Sequence, residues 1–204
     1  MTITFIIIII TVLASLAAFR DVALFNKLIF WPYHMKGRPA QYYRFLTSGF
    51  IHADYNHLMF NMISLYFFGS AIEETMGDVG MIIVLYLTGI IVSSVPAFIK
   101  HINHNYYRSL GASGGVSALV FFTIYHSPWS KIGFLFLPPR LGIPSILFAV
   151  LYLAYSAWMN KKGMDNVGHD AHMTGAVYGF LFAVAIDPTH GMSFIDQLTH
   201  PVFW

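Results

Sequence analysis

Six long stretches of this chain contain no Asp, Glu, Lys or Arg: Met1–Phe19, Tyr55–Ile72, Val79–Ile99, Ser109–Ser130, Leu141–Asn160 and Ala171–Ile186. A helix needs about 20 mostly apolar residues to cross the hydrocarbon layer of a bilayer, within a range of roughly 17–25. Five windows meet that length, and the last does so if its helix begins near His169 and runs into Asp187. In lipid only helices and closed barrels satisfy every backbone N–H and C=O. None of the windows alternates apolar with polar residues as a barrel strand must. The spacing therefore predicts helices over about 1–19, 55–75, 79–99, 112–130, 141–160 and 169–187.

The rest of the composition agrees with a lipid solvent. Apolar residues make up 57% of the chain and DEKR 10%, against roughly 45–50% and about 25% in ordinary globular domains. So few charges cannot clothe a water-soluble surface. The net charge of +2 suggests neither nucleic acid nor an acidic partner. The absence of cysteine excludes disulfides, cysteine nucleophiles, thiolate metal sites and iron–sulfur clusters. The chain reads as an all-α, multi-pass integral membrane protein forming a single domain over residues 1–204. A cleaved signal peptide competes for the first window, with Ser15-Leu16-Ala17 as its cleavage site. No Lys or Arg precedes that apolar run, which favours a retained span.

The connections are unequal. Arg20–Asp54 is long and rich in aromatics, including Trp31-Pro32-Tyr33-His34 and Tyr42-Tyr43, so it is expected to lie partly within the membrane interface. A short acidic turn, Glu73–Asp78, ends the second helix near Gly77. Lys131–Arg140 carries Pro138-Pro139, which forbids helix there.

Polar groups inside spanning segments are costly, and each is a functional candidate by default. Three sites stand out. His57 and Asn61 are four residues apart, on one helix face. Ser113 sits in Gly111-Ala112-Ser113-Gly114-Gly115, and His172 in His169-Asp170-Ala171-His172-Met173-Thr174-Gly175. Each lies near the start of its window, in the second, fourth and sixth. Consecutive spans alternate direction, so these three run parallel and their N-terminal ends share one leaflet. A serine, a base and oxyanion donors thereby meet at one membrane face.

Serine becomes a nucleophile when a base takes its proton, and acyl transfer needs donors aimed at the developing oxyanion. His172 supplies the base; His57, Asn61 and the Ser113 backbone N–H supply donors. The helix N-terminus adds positive potential, and glycines at 111, 114 and 115 allow close approach. Asp170 is two residues from His172 and is expected to point elsewhere. Against this stand blander roles: a Gly/Ser patch on a spanning helix is commonly a packing face, and Gly175 with Gly179 forms such a face in either case, bringing the sixth helix against the fourth. A metal site built from His169, His172 and His57 lacks the His-Glu-x-x-His pattern of membrane metalloproteases. A transporter would place its polar groups near the bilayer midplane.

In this order and on these helices, the motifs resemble the rhomboid family of intramembrane serine proteases, of the bacterial six-helix core type. Gly111-Ala112-Ser113-Gly114 is similar to its Gly-x-Ser-Gly nucleophile motif, and His172 with Gly175 and Gly179 to its last core helix. His57-Leu58-Met59-Phe60-Asn61 is similar to its His-x-x-x-Asn pair, Tyr43-Arg44 to its Trp-Arg pair in the first loop, and Gly69, Glu73 and Gly77 to the stretch closing its second helix. The resemblance implies a six-transmembrane-helix bundle and a Ser113–His172 dyad without an acid. It implies His57, Asn61 and the Ser113 backbone as the oxyanion hole, with Gly111, Gly114, Arg44, Glu73, Gly175 and Gly179 as structural residues near the site. It further implies cleavage of transmembrane protein substrates within the lipid bilayer, no metal or organic cofactor, and a movable fifth helix with its following loop, roughly Trp158–His169, as gate. The expected location is a bacterial inner (cell) membrane, with the chain as a minimal core. A non-catalytic rhomboid-like protein that binds transmembrane clients is the alternative.

Two departures accompany the resemblance. The family's bacterial members carry a tyrosine four residues after the nucleophile, packed on the catalytic histidine; this chain has Ser117 there. The charge distribution is the second. Arg20, Lys27, Lys36, Arg38, Arg44, Lys100, Arg108, Lys161 and Lys162 follow odd helices, and Lys131 and Arg140 follow even ones. That bias would place the odd loops in the cytoplasm, whereas the resemblance implies that the active site opens on that face to the extracytoplasmic side. Cysteine accessibility at Gly37 and Asp78 would decide between them.

Overall fold

A computed structural model describes residues 2–77, 79–133, 141–162 and 168–201. The described residues are mostly helical, and a helix occupies each of the six windows. Helix α1 covers Ile3–Arg20, α5 Tyr55–Met76, α6 Val79–His101, α7 Ser113–His126, α8 Ser145–Lys162 and α9 His169–Ile186. Among the described residues, Ile3–Arg20 and Gly80–His101 are the helices long and apolar enough to cross a bilayer by length and composition alone, and Ser145–Met159 is a shorter apolar helix. Six full-length crossings are thus met only in part.

Helix α7 explains much of the shortfall. It was expected to run to about residue 130 but stops at His126, because Pro128 disfavours helix in the residue before it. Its 14 residues reach only about 21 Å at 1.5 Å each. Gly114 through Phe122, Ile124 and Tyr125 are all buried. A helix apolar on every side belongs in the middle of a protein, and α7 is wrapped by α5, α6, α8 and α9.

Glycine sets the spacing around it. A Cβ built on Gly175 would strike the Gly114 carbonyl oxygen, and one on Gly179 the Ala118 carbonyl oxygen. Both pairs advance by four residues together, so α7 and α9 run parallel with their backbones in contact. Gly114 faces Ser93, and Gly89 faces Ala118; here the numbers run oppositely, and α6 is antiparallel to α7. The Gly175–Gly179 face is therefore the packing seam expected of it, and its partner is the serine-bearing helix.

At the far end of α5, Glu73 caps a different helix. Its Oε1 accepts the Ile3 N–H at 2.7 Å and the Thr4 N–H at 3.3 Å, placing a carboxylate at the positive end of α1. Gly77 closes α5 in the left-handed conformation, φ 64°, its N–H bonded to the Glu73 carbonyl. Gly69 lies against Thr4.

The segment expected as a long loop is instead largely helical: α2 Val22–Leu28, α3 Pro32–Met35 and α4 Arg44–Thr47, with tight turns at Pro39–Gln41 and Ser48–Phe50. Asp21 starts α2 by accepting the Ala23 and Leu24 N–H groups at 2.8 and 3.0 Å, and Pro32 suits the first turn of α3. Arg44 is buried. Its Nη1 donates to the Asn26 and Ile29 carbonyls at 2.8 and 2.7 Å, and its Nε donates to Gln41. The segment then docks on the α6–α7 connection through a Phe30–Ser109 bridge, a Trp31 Nε1 bond to the Asn105 carbonyl, and Arg108 lying 4.1 Å over the Trp31 ring.

After α7, strands β1 Lys131–Ile132 and β2 Ile143–Pro144 pair antiparallel. The Pro138-Pro139 pair between them lies outside the described residues, as do Asp78 and positions 163–167 of the expected gate. Helix α10, His190–Thr199, ends the described chain, with Met192, Ile195 and Leu198 exposed. Around the bundle, Leu13, Ile99, Val150 and Leu181 are each more than half exposed. A belt of this kind is costly in water and suits lipid.

Candidate active site

The parallel seam of α7 and α9 brings their N-terminal ends together, and α5 joins them there. Ser113, His172, His57 and Asn61 line one cavity of about 600 Å³. Asp54, Ser93, Ser94, Arg108 and Ser109 share its wall, and they are hydrogen-bonding groups of the kind that a water in an apolar bundle needs. Ser113 and His172 also line a neighbouring cavity of about 190 Å³, together with Ser117 and Tyr152.

Each group is set by local structure. Ser113 is the first residue of α7, so its N–H is among the four that no helical carbonyl accepts. Gly111 has φ 113°, a conformation that disfavours a side chain, and a Cβ there would come within 2.6 Å of His57 Cε1. The His57 imidazole thus lies directly on the strand of backbone leading into the serine. Asp54 caps α5 by accepting the His57 N–H at 2.8 Å. Asn61 Nδ2 donates to the His57 carbonyl at 2.9 Å, leaving its second amide hydrogen for the cavity. Asp170 pairs with Lys100 at 3.0 Å and so is held by α6, as its position relative to His172 suggested.

Other sequence candidates fall elsewhere. Glu73 opens the last turn of α5, sixteen residues beyond His57, about 24 Å along the helix; it is a cap and not a neighbour of the site. Arg44 fastens the α2–α4 segment and does not line either cavity. Gly179 packs one turn deeper than Gly175. Among the described residues no three His, Asp or Glu groups are placed to share a metal ion.

Two residues near the site carried no role in the sequence. His52, in the loop just before α5, is fully buried. Its Nε2 accepts the Ala112 N–H at 3.4 Å, its Nδ1 lies 3.0 Å from Ser15 Oγ, and Ser15 Oγ donates to the Phe50 carbonyl at 3.1 Å. These partners assign the tautomer: neutral, with the proton on Nδ1. The ring also meets His57 edge-on at 4.9 Å, so one imidazole ties α1, the nucleophile loop and the oxyanion candidate together. Its five-residue spacing from His57 was the available signal. Tyr152 of α8 is the second. Its ring stacks on His172 with centroids 6.0 Å apart and planes 23° from parallel, and its hydroxyl lies 2.6 Å from Ser117 Oγ. No local spacing could have marked it.

Burial, then the neighbouring His57, pushes the His52 imidazole down from 6.5 to about 3, against a smaller raising effect of Asp54. Because the folded value lies below the unfolded one, the stability His52 contributes is present above pH 6.5. It is lost as pH falls from 6.5 toward 3. The expected slope from this group is at most about 1.4 kcal/mol per pH unit. Apparent stability in detergent, measured between pH 8 and pH 4, should decline more steeply for the wild type than for His52→Asn, which lacks a group titrating in that window.

Comparison with known proteins shows what the chain is similar to. Residues 39–188 match the Rhomboid domain family, which includes all four cavity-lining candidates. The chain is 30% identical to RHOMBOID-like protein 12, mitochondrial, of Arabidopsis thaliana over 146 residues, 64% of this chain and 42% of that protein. It is 26% identical to Rhomboid protease GluP of Bacillus subtilis over 147 residues, 72% of this chain and 26% of that protein. With Rhomboid protease GlpG of Enterobacter sp. the figures are 28% over 165 residues, 76% of this chain and 52% of that protein. The chain spans about half, or less, of the length of these relatives. On the strength of the domain match, which covers most of its length, the chain belongs to the rhomboid family.

Proposed function

We propose that this protein is an intramembrane serine endopeptidase of the six-transmembrane-helix rhomboid type, a single domain that hydrolyses peptide bonds in or near transmembrane segments of other membrane proteins. The observation that carries the proposal is the shared cavity: Ser113, His172, His57 and Asn61 line one space, where the N-terminal ends of the parallel helices α7 and α9 meet α5. Relatives named as rhomboid proteases support the reaction class, and the exposed apolar belt supports a bilayer around it.

In this reading His172 takes the Ser113 hydroxyl proton as the oxygen attacks the scissile carbonyl. Negative charge then develops on the carbonyl oxygen. The Ser113 N–H, His57 and the free hydrogen of Asn61 Nδ2 stabilise it, in a site removed from bulk solvent where such donors are most effective. His172 next gives its proton to the leaving amine, and water admitted through the polar cavity hydrolyses the acyl-enzyme with His172 again as base. Helix α8 and the residues after it, roughly Trp158–His169, form the substrate gate. The membrane is a bacterial inner (cell) membrane, with the cavity open to the extracytoplasmic side.

The test is purified protein reconstituted in liposomes with a model substrate carrying one transmembrane segment. Cleavage within or beside that segment is expected. Stable association with uncleaved substrate would instead support a client-binding rhomboid-like protein.

A further inference from the structure

We propose that Tyr152 is the positioning residue of the catalytic base: an aromatic ring donated by α8, anchored by the Ser117 hydroxyl of α7, fixes the His172 imidazole. The inference rests on reading Ser113 and His172 as nucleophile and base. The ring contact expected four residues after the nucleophile is absent, because position 117 holds a serine. A ring is nonetheless present on the histidine, contributed by α8, 35 residues beyond position 117.

The geometry of the contact suits the role. Offset aromatic pairs are favourable at centroid separations of roughly 4.5–7 Å, and the Tyr152–His172 pair falls inside that range at 6.0 Å. A stacked ring restricts rotation of the imidazole about its terminal torsion, which has no strong intrinsic preference. Ser117 is buried, and its bond with the Tyr152 hydroxyl holds the ring at a fixed depth. Phe121 and Phe148 pack against the same ring at 5.9 and 5.6 Å. Ser117 and Tyr152 thus divide between two helices what a single α7 tyrosine would do alone. The alignment of the base then depends on how α8 sits against α7.

The experiment measures the second-order rate at which a fluorophosphonate labels Ser113, alongside kcat and KM for the model substrate, in wild type and variants of the full chain in detergent. Misplacing a reacting group by about 1 Å costs up to roughly 100-fold. Tyr152→Leu, which keeps apolar bulk and loses ring and hydroxyl, should slow labelling about 10- to 100-fold and lower kcat in parallel, with KM within about threefold. Ser117→Ala and Tyr152→Phe, which lose only the anchor, should each slow labelling about three- to tenfold. Moving the ring back to α7, as S117Y with Y152A, should recover most of the rate lost in Y152A.

Labelling of Tyr152→Leu at the wild-type rate overturns the positioning role and leaves the protease reading intact. A wild type that is not labelled at Ser113 overturns the protease reading itself. Should Tyr152→Leu fail to fold, Ser117→Ala and Tyr152→Phe decide, and wild-type rates in both would overturn the role.

Discussion

Ser113→Ala should lower the rate of substrate cleavage by at least about 10⁴-fold, with KM close to that of the wild type. Removing the nucleophile of a serine hydrolase costs on the order of 10⁶ in kcat, and what remains comes from binding and oxyanion donors alone. The hydroxyl is half-buried at the first position of α7, so its loss removes one oxygen and leaves the apolar seams untouched. Thermal unfolding of the variant in detergent should therefore match the wild type. A cleavage rate within tenfold of wild type would mean that another residue attacks the peptide.

The second large effect is expected one turn from the base. Gly175→Ala places a methyl group against the Gly114 carbonyl oxygen, a backbone atom that has no rotamer by which to retreat. The helices must separate, and overpacking of this kind costs roughly 1–3 kcal/mol. Separation also carries His172, three residues earlier on α9, away from Ser113, one residue before Gly114. A displacement near 1 Å predicts a loss of roughly 100-fold in activity, well beyond what the stability change alone would cause in a folded protein. Gly133→Ala is the control: among the described residues nothing lies within 4 Å of its added carbon, and activity and melting temperature should be unchanged. Equal behaviour of the two variants would show that the α7–α9 seam does not set the geometry of the site.

Much of the candidate site was legible because lipid makes polarity conspicuous. His57, Asn61, Ser113 and His172 stood out as polar groups in uncharged windows, and alternation of span direction alone placed their helix ends together. Gly175 and Gly179 were legible as a seam for the same reason, since spacing by four is visible in one dimension. Where the sequence misled, tertiary contacts had replaced solvent. The Arg20–Asp54 segment lacks a long apolar run, yet Asp21, Pro32 and buried Arg44 organise it into short helices by bonds to backbone atoms up to 18 residues away. Glu73 reads as a neighbour of the site only until its partner is known to be the N-terminus of α1. Helix α7 looked long enough to span, but a helix surrounded by others need not match the bilayer, and Pro128 ends it early. His52 and Tyr152 were hidden for the plainest reason. Their importance lies in what they touch, across 37 to 60 residues for His52 and 20 to 35 for Tyr152.

The central claim is that the Ser113 hydroxyl is activated by the His172 imidazole within the cavity they share. Mass spectrometry of the fluorophosphonate-treated protein in membranes tests it most directly. One adduct, on Ser113, is expected in the wild type, with none in Ser113→Ala and labelling slowed at least about 100-fold in His172→Ala. An adduct that persists in Ser113→Ala, or one that forms at the wild-type rate without His172, would contradict it.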